Sequence, residues 1–94
     1  MSECLDLSCG PIHWKDYGGS GAPIVMVHGL GGSLANWDIM GPRLTGLGRV
    51  VALDLPGFGL SPPGKDWSLD THAAAIVDLV EHLGGPAVLL GNAL

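Results

Sequence analysis

The sequence predicts an α/β fold in which a mostly parallel sheet is flanked by helices. Short apolar runs rich in β-branched residues recur along the chain, as in strands that are buried on both faces of a parallel sheet. Segments with helical spacing separate these runs. The 16 glycines and 7 prolines mostly fall between the runs, where they indicate loops. Strands that alternate with helices are typical of a parallel sheet with crossover connections.

The first predicted elements are a half-exposed strand, a buried strand and a helix. Residues 12–17 alternate apolar and polar side chains and then meet a glycine-rich turn, which predicts an antiparallel strand. Residues 23–28 (PIVMVH) form a continuous apolar run, which predicts a buried strand. Ser33 is a favourable N-cap for a helix that we expect to end near Leu44. The predicted buried face of this helix contains Trp37, Met40 and Leu44.

The second half of the chain repeats the pattern of strand, helix and strand. Residues 50–53 (VVAL) and 87–90 (AVLL) predict two further buried strands. Between them, helical spacing extends from about Leu69 to Leu83, with Ser68 as the N-cap and a Gly-Gly-Pro sequence after the end. The predicted apolar stripe of this helix is Leu69, Ala73, Ile76, Val80 and Leu83.

Two helices cannot cover both faces of a sheet with three buried strands. We therefore expect residues 1–94 to be the N-terminal part of a single domain whose remainder is absent from this chain. The remainder of the domain, removed or supplied as a separate polypeptide, is then an expected partner.

The composition indicates a globular protein and argues against several partners. With 47% hydrophobic and 14% charged residues, the chain does not resemble a disordered tail. A net charge of −5 and only four lysines plus arginines argue against binding to nucleic acid or to an anionic membrane surface. No apolar run approaches the roughly 18 residues of a membrane-spanning helix.

The N-terminus and the cysteines predict a cytoplasmic protein. Residues 1–6 are acidic where a signal peptide would be basic, and no apolar core follows them. Cys4 and Cys9 are the only cysteines in the sequence, and with His13 alone nearby they supply too few ligands for a metal site. We expect reduced thiols, no metal and no other cofactor.

A motif follows each of the three buried strands. The motifs are HGLGGS at residues 28–33, DLPGFGLS at residues 54–61 and GNAL at residues 91–94. Open α/β sheets bind ligands beyond the carboxyl ends of their strands, so these loops form the candidate functional site. Glycines there allow backbone N–H groups to point into a cleft.

Together the three motifs resemble those of the α/β-hydrolase family, which are H-G-x-G-G, D-x-P-G-x-G-x-S and G-x-S-x-G. Each motif alone is weak, but here all three occur in this order, each at a strand end. The resemblance covers the chain from about Ile12 to Leu94. It implies an incomplete α/β-hydrolase core. It also implies a serine-type, esterase-like hydrolase that acts on a small ester-like carbonyl substrate through an acyl-enzyme, without a cofactor.

In that family the third motif is the nucleophile elbow, a sharp turn that exposes a serine oxygen. The resemblance assigns the nucleophile to position 93, where this chain has Ala93. It also implies an oxyanion hole made by the backbone N–H groups of Leu30 and Leu94, because fixed donors stabilise the charge that develops on a carbonyl oxygen. The residues that would support these motifs are His28, Gly29, Gly31, Gly32 and Gly91.

Ala93 has no oxygen with which to attack a carbonyl carbon, so the chain as written is expected to be inactive. Loss of a triad nucleophile costs on the order of 10⁶ in turnover. The intact surrounding motifs favour an engineered serine-to-alanine change, and a natural pseudo-hydrolase or a chance match stays open. Dehalogenases and epoxide hydrolases, which use an aspartate at the elbow, stay open too.

The other polar residues of the motifs are expected to be structural. The family's triad acid and histidine follow the nucleophile, so both are expected beyond residue 94. His28 is expected to be buried and hydrogen-bonded at a strand end, and His13 to be a strand residue. The resemblance gives Asp54 the role of bracing its loop toward Gly59 and Ser61.

Three alternatives to a hydrolase remain at this point. A dinucleotide-binding half-domain would explain the glycines of residues 29–31, although Leu34 occupies the third glycine position of G-x-G-x-x-G. A non-catalytic receptor built on the hydrolase fold would explain Ala93. A structural fragment of a split domain would explain the uncovered sheet.

Overall fold

The computed structural model describes residues 2–7, 10–29 and 32–91. Within these ranges the strands form one sheet in the order β1-β2-β4-β3-β5. The strands are β1 Ser2–Leu7, β2 Gly10–Gly18, β3 Pro23–Val27, β4 Arg49–Leu53 and β5 Val88–Gly91. The helices are a 3₁₀ helix Leu34–Trp37, α1 Met40–Arg43 and α2 Leu69–His82. Among the described residues, none of the helices combines the length and the hydrophobicity that a membrane span requires.

The sheet is mixed, with its parallel part at the three apolar strands. β3 pairs in parallel with β4 and with β5, whereas β2 pairs antiparallel with β1 and β4. This confirms the predicted α/β class and the antiparallel strand predicted over residues 12–17. β1 has no counterpart among the predicted elements, because its apolar residues are too few to give a clear strand pattern.

Alternation along the strands separates two hydrophobic clusters on the two faces of the sheet. The cluster under α2 contains Ile12, Trp14, Val25, Val51, Leu53, Ala75 and Leu79. The cluster on the opposite face contains Ile24, Met26, Leu34, Trp37, Val50 and Ala52. Since β3 and β4 contribute to both clusters, they are buried on both faces, as their apolar runs predict.

The helix predicted from Ser33 to about Leu44 is interrupted. The Ser33 cap is confirmed, since its side chain accepts the Ala35 N–H and the Asn36 side chain accepts the Ser33 N–H. A 3₁₀ helix, a turn and α1 replace the continuous helix. Pro42 explains the break, because a proline inside a helix lacks the N–H donor and clashes with the preceding turn. The prediction that Met40 is buried is wrong, since it is 48% exposed.

Helix α2 has nearly the predicted bounds but buries a different face. Its N-cap is Ser68, as predicted, with Oγ accepting the Thr71 N–H at 3.1 Å. Of the predicted stripe, Leu69 is 87% exposed and Ala73 is also exposed, so their assignment to the core is wrong. Ile76, Val80 and Leu83 are partly buried against the core, as predicted. The buried residues are Thr71, Ala75 and Leu79. Thr71 tolerates burial because its hydroxyl donates a hydrogen bond to Asp66 at 2.6 Å.

Strand β5 lies at the edge of the described sheet and is not buried. Val88 and Leu89 are 55% and 54% exposed, which makes the predicted burial of this strand wrong for the described residues. Neighbouring residues of a strand face opposite sides of the sheet. Val88 and Leu89 therefore expose apolar surface on opposite faces of β5, whereas Leu90 is partly buried against the cluster that contains Trp37.

Candidate active site

The carboxyl ends of three parallel strands are adjacent at one edge of the sheet. The register pairs Val27, near the end of β3, with Leu53 of β4 and with Gly91 of β5. This is the edge at which open α/β sheets bind ligands. The motifs that follow β3 and β4 therefore begin side by side, as the sequence predicts.

His28 joins the loops that follow β3 and β4. Its ring is buried, with Nδ1 2.7 Å from the Gly29 carbonyl oxygen and Nε2 3.0 Å from the Leu55 amide nitrogen. A carbonyl oxygen only accepts and an amide N–H only donates, so these partners select the neutral ring with its proton on Nδ1. His28 is thus buried and hydrogen-bonded at a strand end, as the sequence predicts.

A hydrogen bond joins Gly29 and Gly32 in the glycine-rich motif after β3. The Gly32 N–H donates to the Gly29 carbonyl at 3.0 Å. A Cβ atom on Gly32 would overlap the Asn36 side chain that accepts the Ser33 N–H, so the cap requires glycine at this position. Leu30 and Gly31, between these two glycines, lie outside the described residues.

The carboxylate of Asp54 connects three separate segments. Asp54 is 1% exposed. Its Oδ1 accepts the Leu34 N–H at 2.7 Å, and its Oδ2 accepts the Leu60 N–H at 2.9 Å and contacts His13 Nδ1 at 2.7 Å. A buried carboxylate is stable only when it is paired or hydrogen-bonded. Asp54 therefore fixes the start of the 3₁₀ helix, its own loop and β2 relative to one another.

Ser61 closes this junction through the backbone. Its Oγ donates to the Asp54 carbonyl at 2.6 Å and accepts the His13 N–H at 2.8 Å. A Cβ atom on Gly59, where φ is +53°, would overlap the Asp54 carboxylate. These contacts give Asp54 the bracing geometry toward Gly59 and Ser61 that the family resemblance implies.

Aromatic rings support the outer side of the loop after β4. The ring of Phe58 meets the rings of His28 and Trp67 edge to face, at centroid distances of 5.5 and 5.8 Å. Gly57, with φ at +82°, lies so close to the Trp67 ring that a Cβ atom there would overlap it. The loop is therefore packed against His28 on one side and Trp67 on the other.

The groups with shifted pKa values lie outside the three motifs. Burial, followed by the hydrogen bond to Asp38, raises the pKa of the Tyr17 phenol well above its usual value. Hydrogen bonds from Tyr17 and then Lys15 lower the pKa of Asp38. Hydrogen bonds from the Ser68 and Thr71 side chains lower the pKa of Asp66 to about 2. We interpret these shifts as features of the scaffold.

The predicted site residues divide into two groups. His28, Gly29, Gly32 and Gly91 are described and lie at the shared edge of the sheet. Ala93, Leu30, Leu94 and Gly31 lie outside the described residues, so the nucleophile position and the oxyanion donors stay predictions. Between residues 2 and 91, the described side chains form no group of three or more histidine, cysteine, aspartate or glutamate residues that could hold a metal ion.

His13 is the residue of this junction that sequence reasoning missed. It was expected to be only a strand residue, yet its side chain contacts Asp54, which is 41 positions away in the sequence. The available signal was the polar residue between Ile12 and Trp14, but a polar residue at an alternating position normally indicates solvent exposure.

A family model and curated proteins resemble the chain. The model, described as alpha/beta hydrolase fold, matches residues 22–92. The chain is 42% identical over 74 residues to the dihydrolipoyllysine-residue acetyltransferase component of the acetoin cleaving system of Pseudomonas putida, covering 77% of the chain and 20% of that protein. It is 44% identical over 62 residues to the pimeloyl-[acyl-carrier protein] methyl ester esterase of Methylococcus capsulatus, covering 66% of the chain and 24% of that protein.

A third curated relative is haloalkane dehalogenase 2 of Mycobacterium bovis, with 42% identity over 86 residues, 88% of the chain and 29% of that protein. The chain thus spans between 20% and 29% of the length of these three relatives. The names of the three relatives describe different activities.

Solved structures of enzymes share the fold. A serine-to-alanine variant of N-formylmaleamic acid deformylase from Pseudomonas putida S16 matches 99% of the chain and 37% of its own length, with a TM-score of 0.89 and 29% identity. An epoxide hydrolase matches 95% of the chain and 32% of its own length, with a TM-score of 0.85 and 28% identity.

Proposed function

This chain belongs to the α/β-hydrolase family, and from that premise we propose that it is part of a serine-type hydrolase of small ester-like carbonyl compounds. The observation that carries the proposal is the junction of the loops after β3 and β4, made by His28 and Asp54 at the edge where β5 also ends. Membership of this family argues against the dinucleotide-binding half-domain. The esterase among the relatives supports an ester substrate.

The proposed reaction uses a serine at position 93. Its oxygen attacks the carbonyl carbon, the leaving alcohol takes up the proton that the serine loses, and water then hydrolyses the acyl-enzyme to release the acid and restore the serine. The amides of Leu30 and Leu94 bind the oxyanion in this proposal. Its support is that Gly29 and Leu34, on either side of Leu30 in the sequence, are held by His28 and Asp54.

Ala93 makes the chain as written inactive in this proposal, because a methyl group cannot act as a nucleophile. We interpret it as an engineered replacement of serine, since the motifs around it are intact. The second candidate function is a pseudo-hydrolase that binds the ligand without turnover, and Ala93 is the observation that favours it. The dehalogenase relative favours a further variant of the site with an aspartate nucleophile.

The proposal includes further polypeptide that completes the domain. Val88 and Leu89 expose apolar side chains on opposite faces of β5, and burial of such side chains is the main driving force of folding. The relatives are more than three times as long as the matched segment. A cytoplasmic location stays part of the proposal, in which Cys4 and Cys9 are reduced thiols.

The test is to replace Ala93 in the complete protein and measure turnover. We expect Ala93→Ser to hydrolyse p-nitrophenyl esters with a burst of p-nitrophenol, approaching the roughly 10⁶-fold effect of a triad nucleophile. Ala93→Val, which adds volume but no nucleophile, is the matched control and should stay inactive. Ligand binding by Ala93→Ser without turnover would instead support the pseudo-hydrolase. Release of halide from a haloalkane by Ala93→Asp alone would indicate the dehalogenase type.

A further inference from the structure

His13 has a more specific role than a buried strand residue. The described residues provide three hydrogen-bond donors to the Asp54 carboxylate, and His13 Nδ1 is the one that belongs to a side chain. We infer that His13 is a positioning residue, which orients the Asp54 carboxylate so that this carboxylate holds the Leu34 amide and the glycine-rich loop before it. The inference rests on the proposed function only for the use of that loop in catalysis.

The geometry of the carboxylate explains why a side-chain donor matters. A carboxylate rotates over a broad range about the bond that joins it to its Cβ atom. His13 Nδ1 and the Leu60 N–H both contact Oδ2, at 2.7 and 2.9 Å, and thereby fix the direction of this oxygen. With Oδ2 fixed, Oδ1 points to the Leu34 amide, 2.7 Å away. Loss of the imidazole leaves Oδ2 with one donor and weakens the alignment of Oδ1.

The backbone of His13 is held independently of its side chain. Its N–H donates to Ser61 Oγ at 2.8 Å, and its carbonyl oxygen accepts the Asp54 N–H at 2.8 Å. It also lies in the middle of β2, between two paired strands. A substitution of the side chain therefore tests the contact with Asp54 while these backbone contacts persist.

The residues on either side of the glycine-rich loop are each hydrogen-bonded to a buried side chain. His28 contacts the Gly29 carbonyl at one end of the loop, and Asp54 binds the Leu34 amide at the other. In the proposed function the sequence between Gly29 and Leu34 supplies an oxyanion donor, which must lie within a few tenths of an ångström of its working position. An imidazole at position 13, outside all three motifs, thus contributes to the geometry of the site.

The test compares two substitutions in the chain, with amide hydrogen exchange measured by NMR. His13→Asn places an N–H donor close to the position of the imidazole Nδ1, whereas His13→Leu keeps an apolar volume and has no donor. We expect exchange of the Leu34 amide to be at least about tenfold faster in His13→Leu and within about threefold of the unsubstituted chain in His13→Asn, since a charge-assisted hydrogen bond is lost only in the former. The Val51 amide, in the central strand β4, is the internal control.

Unchanged exchange at Leu34 in folded His13→Leu would overturn the inference, as would equal acceleration in the two variants or failure of His13→Asn to fold. If His13→Leu does not fold, His13→Gln takes its place in the comparison. The side-chain N–H donor of glutamine lies one bond farther from the backbone than that of asparagine, so it does not match the position of the imidazole Nδ1. Equal exchange in His13→Gln and His13→Asn would then contradict the inference. No substrate is involved, so failure here leaves the proposed hydrolase standing, and an inactive Ala93→Ser protein leaves the role of His13 standing.

Discussion

The loops after β3 and β4 and the strand β5 meet at one edge of the sheet, but they are stabilised differently. The loops bury polar groups, and His28 and Asp54 find their hydrogen-bond partners in segments that this chain supplies. β5 instead exposes Val88 and Leu89 on opposite faces. The difference teaches that the described residues supply the hydrogen-bond partners of His28 and Asp54 but leave Val88 and Leu89 exposed.

The largest expected effect is at the centre of the loop junction. Asp54→Ala would leave the His13, Leu34 and Leu60 donors without their acceptor in a buried site. We expect the free energy of unfolding to fall by about 3–5 kcal/mol, as measured by urea denaturation. Asp6→Ala, at an exposed aspartate of β1, is the control and should change it by less than about 0.5 kcal/mol. Similar values for both would show that the junction does not stabilise the fold.

Substituting one leucine in the core and one in β5 compares how much each region contributes to the free energy of unfolding. Leu79 of α2 is fully buried, whereas Leu89 of β5 is half exposed. Leu79→Ala should therefore lower the free energy of unfolding by about 2–5 kcal/mol, and Leu89→Ala by less than about 1 kcal/mol. The same denaturation experiment measures both. A large loss for Leu89→Ala in this chain would mean that β5 is already covered, which would remove the contrast.

Alanine substitutions at two glycines with positive φ separate the energetic cost of backbone strain from that of steric crowding. Gly59 and Gly84 have φ of +53° and +90°, but only at Gly59 would a Cβ atom overlap the Asp54 carboxylate. We expect Gly59→Ala to cost about 2–4 kcal/mol, from strain plus crowding, and Gly84→Ala about 1 kcal/mol from strain alone. Thermal unfolding of the two variants provides the comparison. Equal costs would show that Asp54 does not restrict the loop.

The smallest effect concerns acid stability at the start of α2, where Asp66 accepts hydrogen bonds from Ser68 and Thr71. The folded pKa of Asp66 is lowered to about 2, chiefly by the Ser68 and Thr71 hydroxyls. Because the pKa of Asp66 is lower in the folded state, its carboxylate contributes fully to the free energy of unfolding above the unfolded pKa of about 3.9. This contribution is lost as the pH falls toward 2. The difference in Tm between the unsubstituted chain and Asp66→Asn should therefore be constant from pH 7 to 5 and shrink below pH 4. A difference that grows on acidification would contradict this assignment.

The parts of the fold that were predictable depend on local chemistry. The apolar runs located β3, β4 and β5, and the capping roles of Ser33 and Ser68 follow from short-range hydrogen bonds. The face of α2 was less predictable, because Thr71 is buried through its bond to Asp66 rather than through hydrophobicity.

The site was predictable only where its residues belong to motifs. His28 and Asp54 stand in the motifs, and their buried, structural roles follow from that position. His13 belongs to no motif, and its role depends on a partner 41 positions away that pairing of β2 with β4 brings close. An apolar run, as at β5, indicates that a strand needs cover but contains no information on which segment provides it.

The most direct test of the proposed site is a crystal structure of the complete protein, as Ala93→Ser, after reaction with a phosphonate that mimics the tetrahedral intermediate. The account predicts a covalent bond from the oxygen at position 93 to phosphorus. It also predicts that the amide nitrogens of Leu30 and Leu94 both lie about 2.7–3.1 Å from one phosphonyl oxygen. A phosphonate bound at another residue, or an oxygen that neither amide approaches, would contradict it.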